Sequence, residues 1–380
     1  MVIPLNNKKH IAFVASGGGP KALFYHVGFS AALREKGINL SDIKTFIGSS
    51  AGSIFAAIAG SGFSLNEMID AFTKEDSRLK KLRYFDLITF NRDLISDYIK
   101  GLMHNNFGFT GIESLISNLL RFNSPLSTDG IENYIKEILP VNEFWKLEKD
   151  VFITGTRLNP TKEIYKDVFC KKDFYNGDFE TKYRSDVSIP DAVAASCALP
   201  GLLAPKRIKT SDEGFVDYID GEVRKTLSTH IAKDNNADLI LVSYTHEPYH
   251  LMDGIGSLKK YGMYANVVQS VFIGVSQKIK NAKFIHETKK DAIDSVYRFA
   301  RRKGLPKKLT DELIEQLSKD IGFNRSIKYI FSHPTDPEFF MEANFNMAGD
   351  CAKRIIEYGY NQGLKDLKEL NKQAYKEEAA

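Results

Sequence analysis

Gly48-Ser49-Ser50-Ala51-Gly52 is a G-x-S-x-G pentapeptide set between an apolar run, Thr45-Phe46-Ile47, and a helix-like run, Ser53 to Gly60 (SIFAAIAG). Strand, sharp turn and helix in that order present a serine as a nucleophile. Gly48 and Gly52, two before and two after the serine, answer a steric demand, because side chains there would strike the adjoining strand and helix. Ser50 then stands at a helix N-terminus, where backbone N–H groups face incoming negative charge. At ordinary glycine and serine frequencies the pentapeptide arises by chance roughly 0.1 times in a chain of this length, so its placement carries the weight. The plain alternative is a glycine- and serine-rich turn that does no chemistry.

A second motif lies upstream. His10 to Ser16 (HIAFVAS) reads as a buried strand, Gly17-Gly18-Gly19 follow at once, and Pro20 opens an amphipathic helix that stops at Lys36-Gly37. Three consecutive glycines leave backbone amides bare for an anion or an oxyanion. Gly17-x-Gly19-x-x-Ala22 also meets the looser dinucleotide fingerprint, which expects an acidic residue at the end of the second strand. That strand ends in Ile47-Gly48-Ser49-Ser50, and the nearest acids, Glu35 and Asp42, precede it. An oxyanion hole beside Ser50 accounts for both glycine motifs, a nucleotide for one. Lys21 has two readings: steering anionic lipid, or solubilising the start of the helix.

A serine hydroxyl needs a base. His104, His230, His246, His250, His286 and His333 follow Ser50, and none sits in a conspicuous turn motif. Asp220 closes a strand-like run, Gly214 to Asp220 (GFVDYID), and precedes Gly221. An acid at a strand's carboxyl end is where α/β folds gather functional groups. The alternative is a turn aspartate in a common Asp-Gly dipeptide. A free aspartate has a pKa of about 3.9, and burial beside Tyr218 and Ile219 would make it a stronger base.

Taken together, the G-G-G-x-[KR] run, the G-x-S-x-G about thirty residues on and the distant Asp-Gly resemble the patatin-like phospholipases. Further stretches agree. Tyr25-His26-Val27-Gly28 through Gly37-Ile38 resembles the family's first helix, and Ala194 to Gly201 (AASCALPG) resembles the segment before its aspartate. Asp336-Pro337-Glu338-Phe339 and Glu357-Tyr358-Gly359-Tyr360 resemble its closing segments. The resemblance implies a three-layer α/β fold with a mostly parallel central sheet and helices on both faces. It implies a dyad of Ser50 as nucleophile and Asp220 as base, with no catalytic histidine. Oxyanion donors would come from Gly17, Gly18 and Gly19, with Ala51, the residue after the nucleophile. The chain departs from the pattern in having Ala22 for a glycine, Glu222 for a small residue, and no Asn-Pro segment after Asp220.

The rest of the chain bounds this reading. It has 380 residues and a formal charge of +4, too weak to argue for nucleic acid. Cys170, Cys197 and Cys351 are too sparse for a disulfide framework and favour a reducing, cytoplasmic compartment. No metal-ligand spacing occurs, and the chemistry asks for no cofactor. Met1 to His10 lacks a signal-peptide core, and no apolar run is long enough to span a membrane. Residues 8–250 and 325–370 are expected to form the catalytic domain around a helical insertion at 257–323. Asp76 to Phe122 mixes basic and large apolar residues, either as helices on the core or as an interfacial cap. Tyr297 to Lys303 (YRFARRK) reads as a solvated face or as a peripheral contact with anionic lipid. The expected activity is hydrolysis of lipid or phospholipid acyl esters. Two rivals remain: a Ser-His-Asp esterase using His246 or His250, and a non-catalytic lipid-binding protein on the same fold.

Overall fold

The computed structural model describes residues 10–74, 79–80, 82–83, 87, 89–90, 124, 126–161, 163–173, 180–342 and 349–378. Along the chain run β1 (Ile11–Ala15), α1 (Pro20–Glu35), β2 (Ile43–Gly48), α2 (Ala51–Gly60), α3 (Leu65–Thr73), β3 (Thr89–Phe90) and β4 (Leu126–Ser127). Then come α4 (Asp129–Ile138), β5 (Asp150–Thr161), β6 (Ile164–Phe169), β7 (Thr181–Arg184), α5 (Ile189–Ser196), β8 (Lys206–Thr210) and β9 (Gly214–Asp220). The last are α6 (Thr229–Asp234), β10 (Leu239–Ser243), α7 (Gly262–Arg302), α8 (Lys307–Asp320), β11 (Lys328–Ser332) and α9 (Gly349–Glu378). No helix among the described residues is long and apolar enough to cross a membrane.

The main sheet has the order β11-β10-β1-β2-β5-β6-β7, and its first five strands are parallel. The strand β1 shows why the fold has three layers. Every one of its residues is buried, as expected of a central parallel strand. Ile11, Phe13 and Ala15 enter the core shared with α1, α2 and α9, while Ala12 and Val14 enter the opposite core with Ile231 of α6 and Val275 and Ile279 of α7. The period of two along a strand thus feeds two cores, and a helical layer closes each.

The strand β5 positions the site. On one edge it pairs with β6. Its other edge is shared by two strands that approach each other. The strand β2 runs parallel to β5 and ends at Gly48 opposite Ile153, while β9 runs antiparallel and ends at Asp220 opposite Gly155. Two residues of strand separate those registers, about 7 Å. The turn carrying Ser50 and the end of β9 carrying Asp220 therefore meet head to head along one strand.

The strand β5 is long, running Asp150–Thr161. The strands β7 (TKYR) and β8 (KRIKT) carry too many charges to stand out, and both lie toward the sheet margin. Most of Asp76 to Phe122, the cap candidate, lies outside the described residues, as does His104. Within that segment Leu79, Leu82 and Leu87 are buried in the larger core.

Candidate active site

Ser50 sits between β2 and α2 with φ 52° and ψ −131°, a backbone state that a residue with a side chain rarely adopts. Such a conformation costs about 1–3 kcal/mol and persists only where neighbours enforce it. Here the Ser50 N–H donates to Ser196 Oγ at 2.9 Å, and the Ser53 hydroxyl donates to the Ser50 carbonyl at 2.6 Å. A Cβ on Gly52 would lie 2.1 Å from the Ala15 carbonyl oxygen, so glycine alone lets α2 start this close to β1.

Asp220 is buried and lines the same cavity as Ser50, whose side chain is near enough to its carboxyl to favour the ionised form. Its Oδ1 also accepts from the Glu222 N–H at 2.9 Å, and its own N–H is tied to the Ala198 carbonyl at 2.9 Å. Gly221 is required by close approach, since a Cβ there would lie 2.3 Å from the Thr154 carbonyl oxygen. Burial pushes the Asp220 pKa up to about 7, and the charge of Glu222 adds to the rise; the hydrogen bond from the Glu222 amide and the nearby Ser50 side chain oppose it. No cation pairs with Asp220 among the described residues.

The glycine run turns back beneath Ser50. Gly18 and Gly19 have φ of 127° and 76°, where glycine is at home. The Gly17 N–H, expected among the oxyanion donors, instead donates to Glu222 Oε1 at 3.0 Å. The Ser16 hydroxyl donates to the same oxygen at 2.6 Å, and Thr245 Oγ1 donates to the Gly17 carbonyl at 3.1 Å. Gly18, Gly19 and Ala51 line a cavity with Ser50 and Asp220. Its walls are otherwise mostly aliphatic: Leu23, Ile54, Leu82, Leu87, Ile131, Leu199, Leu202 and Leu203, with Val268, Val271 and Phe272 of α7 closing one side.

Lys21 overturns both of its readings. It neither meets solvent nor faces lipid. It is fully buried, donates to the Phe339 and Phe340 carbonyls at 3.0 Å each, and lies within 5.5 Å of the Phe272, Phe339 and Phe340 rings. Burial lowers its pKa to about 7. It ties α1 to the turn against which the first half of α7 packs.

The histidines separate cleanly. His250 is exposed, 3.6 Å from Glu247, and does not line the cavity. His230 is half-buried on α6, His286 packs on Phe323 and Tyr329, and His333 stacks on Tyr244. Only His246, among the described histidines, lines the cavity, edge-on to Phe272 at 5.0 Å. His26, upstream of Ser50, is buried between Ser243 Oγ at 2.7 Å and the Ser16 carbonyl at 2.8 Å, holding β1's exit to β10.

Sequence reasoning missed the α7 wall, the Ser196 contact and the role of Glu222. Val268, Val271 and Phe272 recur at helical spacing, a signal present in the sequence. The other two are long-range contacts with no local signature.

A mostly parallel three-layer α/β sandwich with a serine elbow and a buried aspartate at adjoining strand ends defines a class of fold and site. The sequence model of the patatin-like phospholipase family matches residues 13–233, more than half of the chain. The chain belongs to the patatin-like phospholipase family, a family of lipid acyl hydrolases. No curated protein matches it. Among solved structures it is similar to VipD from Legionella pneumophila, at 15% identity over 95% of this chain and 67% of that one, with a TM-score of 0.38.

Proposed function

We propose that this protein hydrolyses acyl esters of lipids with a Ser50–Asp220 dyad. The observation that carries the reading is that Ser50, just past the end of β2, and the buried Asp220, at the end of β9, meet along β5 and line one cavity, with no cation paired to that carboxyl among the described residues. Ser50 Oγ attacks the ester carbonyl carbon while its proton passes to Asp220. The carbonyl oxygen takes up negative charge facing the Gly18 and Gly19 loop and Ala51; Gly17 is left out because its N–H is already engaged. Each such donor contributes about 3 kcal/mol to the transition state. The tetrahedral intermediate collapses, the carbon–oxygen bond to the alcohol breaks, and Asp220 returns the proton to the departing oxygen. Water then attacks the acyl-enzyme, gives a proton to Asp220, and releases the fatty acid as Ser50 recovers its hydrogen. The leucine and isoleucine walls suit the acyl chain.

Fluorophosphonate labelling tests the nucleophile. The wild-type protein is expected to label and to hydrolyse a p-nitrophenyl ester, and Ser50→Ala to lose both. Folded wild-type protein that neither labels nor turns over would favour the non-catalytic rival. Against the histidine rival, His250→Ala should leave turnover intact, and His246→Ala should cost far less than Asp220→Asn on this hydroxyl-free ester. A loss from His246→Ala equal to that from Asp220→Asn would instead make histidine the base.

A further inference from the structure

Two polar atoms in the cavity wall have no use in the chemistry above. Glu222 uses Oε1 to hold Ser16 and Gly17, but its Oε2 is buried and has no hydrogen-bond partner among the described residues. His246 Nδ1 is likewise buried and unpartnered. Both residues line the cavity that contains Ser50 and Asp220, and both are more than nine-tenths buried, at 2% and 3% exposure. Leaving a buried polar atom without a partner is costly, and a carboxylate oxygen more so than a neutral group. In a mostly aliphatic cavity these are the two unmet polar atoms, among the described residues, on side chains that the chemistry does not use. The pair is also electrostatically coupled, since the charge of Glu222 favours the protonated form of His246 against burial.

The two atoms discriminate among the functions that a lipid alcohol can present. A phosphate only accepts hydrogen bonds, and its charge repels Glu222. A saturated alkyl group leaves both atoms unmet. A hydroxyl donates and accepts, so it can answer a carboxylate oxygen or an imidazole nitrogen; the two hydroxyls of glycerol can answer both, whichever nitrogen of His246 carries the proton. We propose that Glu222 and His246 form a hydroxyl-recognising subsite, so that the preferred substrate is an acyl ester whose alcohol carries free hydroxyls, as in a monoacylglycerol. The proposal rests on the acyl-hydrolase reading of the same cavity.

The experiment compares three esters of one fatty acid: the 1-monoacylglycerol, the propyl ester and the 1-acylglycerol 3-phosphate. Wild-type kcat/KM should favour the monoacylglycerol over the propyl ester by roughly 10- to 100-fold, the range for a hydrogen bond to a charged group. The phosphate should fall below the monoacylglycerol. In Glu222→Gln, the amide oxygen can still accept from Ser16 and Gly17 while the NH2 replaces the free acceptor. The monoacylglycerol preference should then collapse toward the propyl ester, and His246→Ala should lower the same ratio. A wild-type ratio near one, a phosphate turned over faster than the glycerol, or a preference unchanged in both variants overturns the subsite. The wild-type ratios need no variant to fold. Failure of the parent reading is distinct: no ester is turned over and Ser50 does not label with fluorophosphonate.

Discussion

Asp167 and Asp220 face Gly155 from opposite edges of β5. Both are buried, but their surroundings are opposite. Asp167 accepts from Arg157 Nε and Nη2 at 2.8 and 3.0 Å and from the Tyr218 hydroxyl at 2.5 Å, with Arg184 at 3.9 Å. Arg157 continues to Glu213, which also meets Lys182 and Arg184. Asp220, across one strand, accepts from the Glu222 amide and has the Ser50 side chain nearby, with no cation beside it among the described residues. Burial raises the Asp167 pKa as well, but Arg157 and Arg184 pull against that rise, and the clamped carboxylate ties strands together. A buried carboxylate with no cation keeps a proton affinity near neutrality and can pass a proton back and forth. The same side chain at the same level of the sheet is thus structural or chemical according to its partners.

Exchanging each carboxylate for its amide should separate the two roles. Asp220→Asn should lower kcat on a simple ester by about 10²–10⁴-fold, the usual range for a lost general base. Asp167→Asn leaves Arg157 with one carboxylate fewer in a buried setting and should cost about 3–5 kcal/mol of stability, seen as a lower Tm. Its kcat in the folded protein should stay within severalfold of wild type. If Asp167→Asn cost kcat as much as Asp220→Asn, the contrast between the two positions would fail.

The two substitutions should move stability in opposite directions at pH 8. The folded-state pKa of Asp220 is raised from 3.8 to about 7. A group of this kind adds stability that is complete below its unfolded pKa and is lost as pH rises through the folded value. At pH 8 the ionised, buried carboxylate therefore weighs against the fold by an amount on the order of a few kcal/mol. Asp220→Asn should melt above wild type at pH 8, and the gap should narrow as pH falls toward 4. An aspartate that costs the fold nothing at pH 8 would show no such gap and would lose its claim to be a poised base.

Much of this arrangement can be read in short windows of sequence. The elbow glycines, the glycine run before Pro20 and the Asp220-Gly221 pair each declare a local backbone requirement. The continuous apolar runs at 11–15 and 239–243 declare strands buried on both faces, and with them the three-layer sheet. What escaped reading depends on distant partners. Glu222 lies about 200 residues from the Ser16 and Gly17 groups that it holds, and nothing around it announces that clasp. Lys21 looks like a surface lysine until the 339–340 turn supplies its carbonyls and rings. Periodicity gave α7 as a helix, but only packing shows that its apolar stripe closes the cavity.

The smallest effect asks which group carries the pH dependence. Ester hydrolysis at limiting substrate should rise with pH through about 7, because Asp220 must be ionised to take the Ser50 proton. Glu222→Gln removes a like charge that raises the Asp220 pKa, so the limb should move to lower pH. It should remain well above the ordinary carboxylate range, because burial is the larger cause. That shift alone does not separate Asp220 from His246, since Glu222 also raises the proton affinity of the histidine. Temperature separates them: a carboxyl's pKa changes little on warming, whereas an imidazole's falls clearly. A limb that holds its position between 10 and 40 °C and moves down in Glu222→Gln assigns the titration to Asp220. One that slides with temperature assigns it to His246, and then the uncompensated carboxylate beside β5 is no longer what distinguishes Asp220 from Asp167.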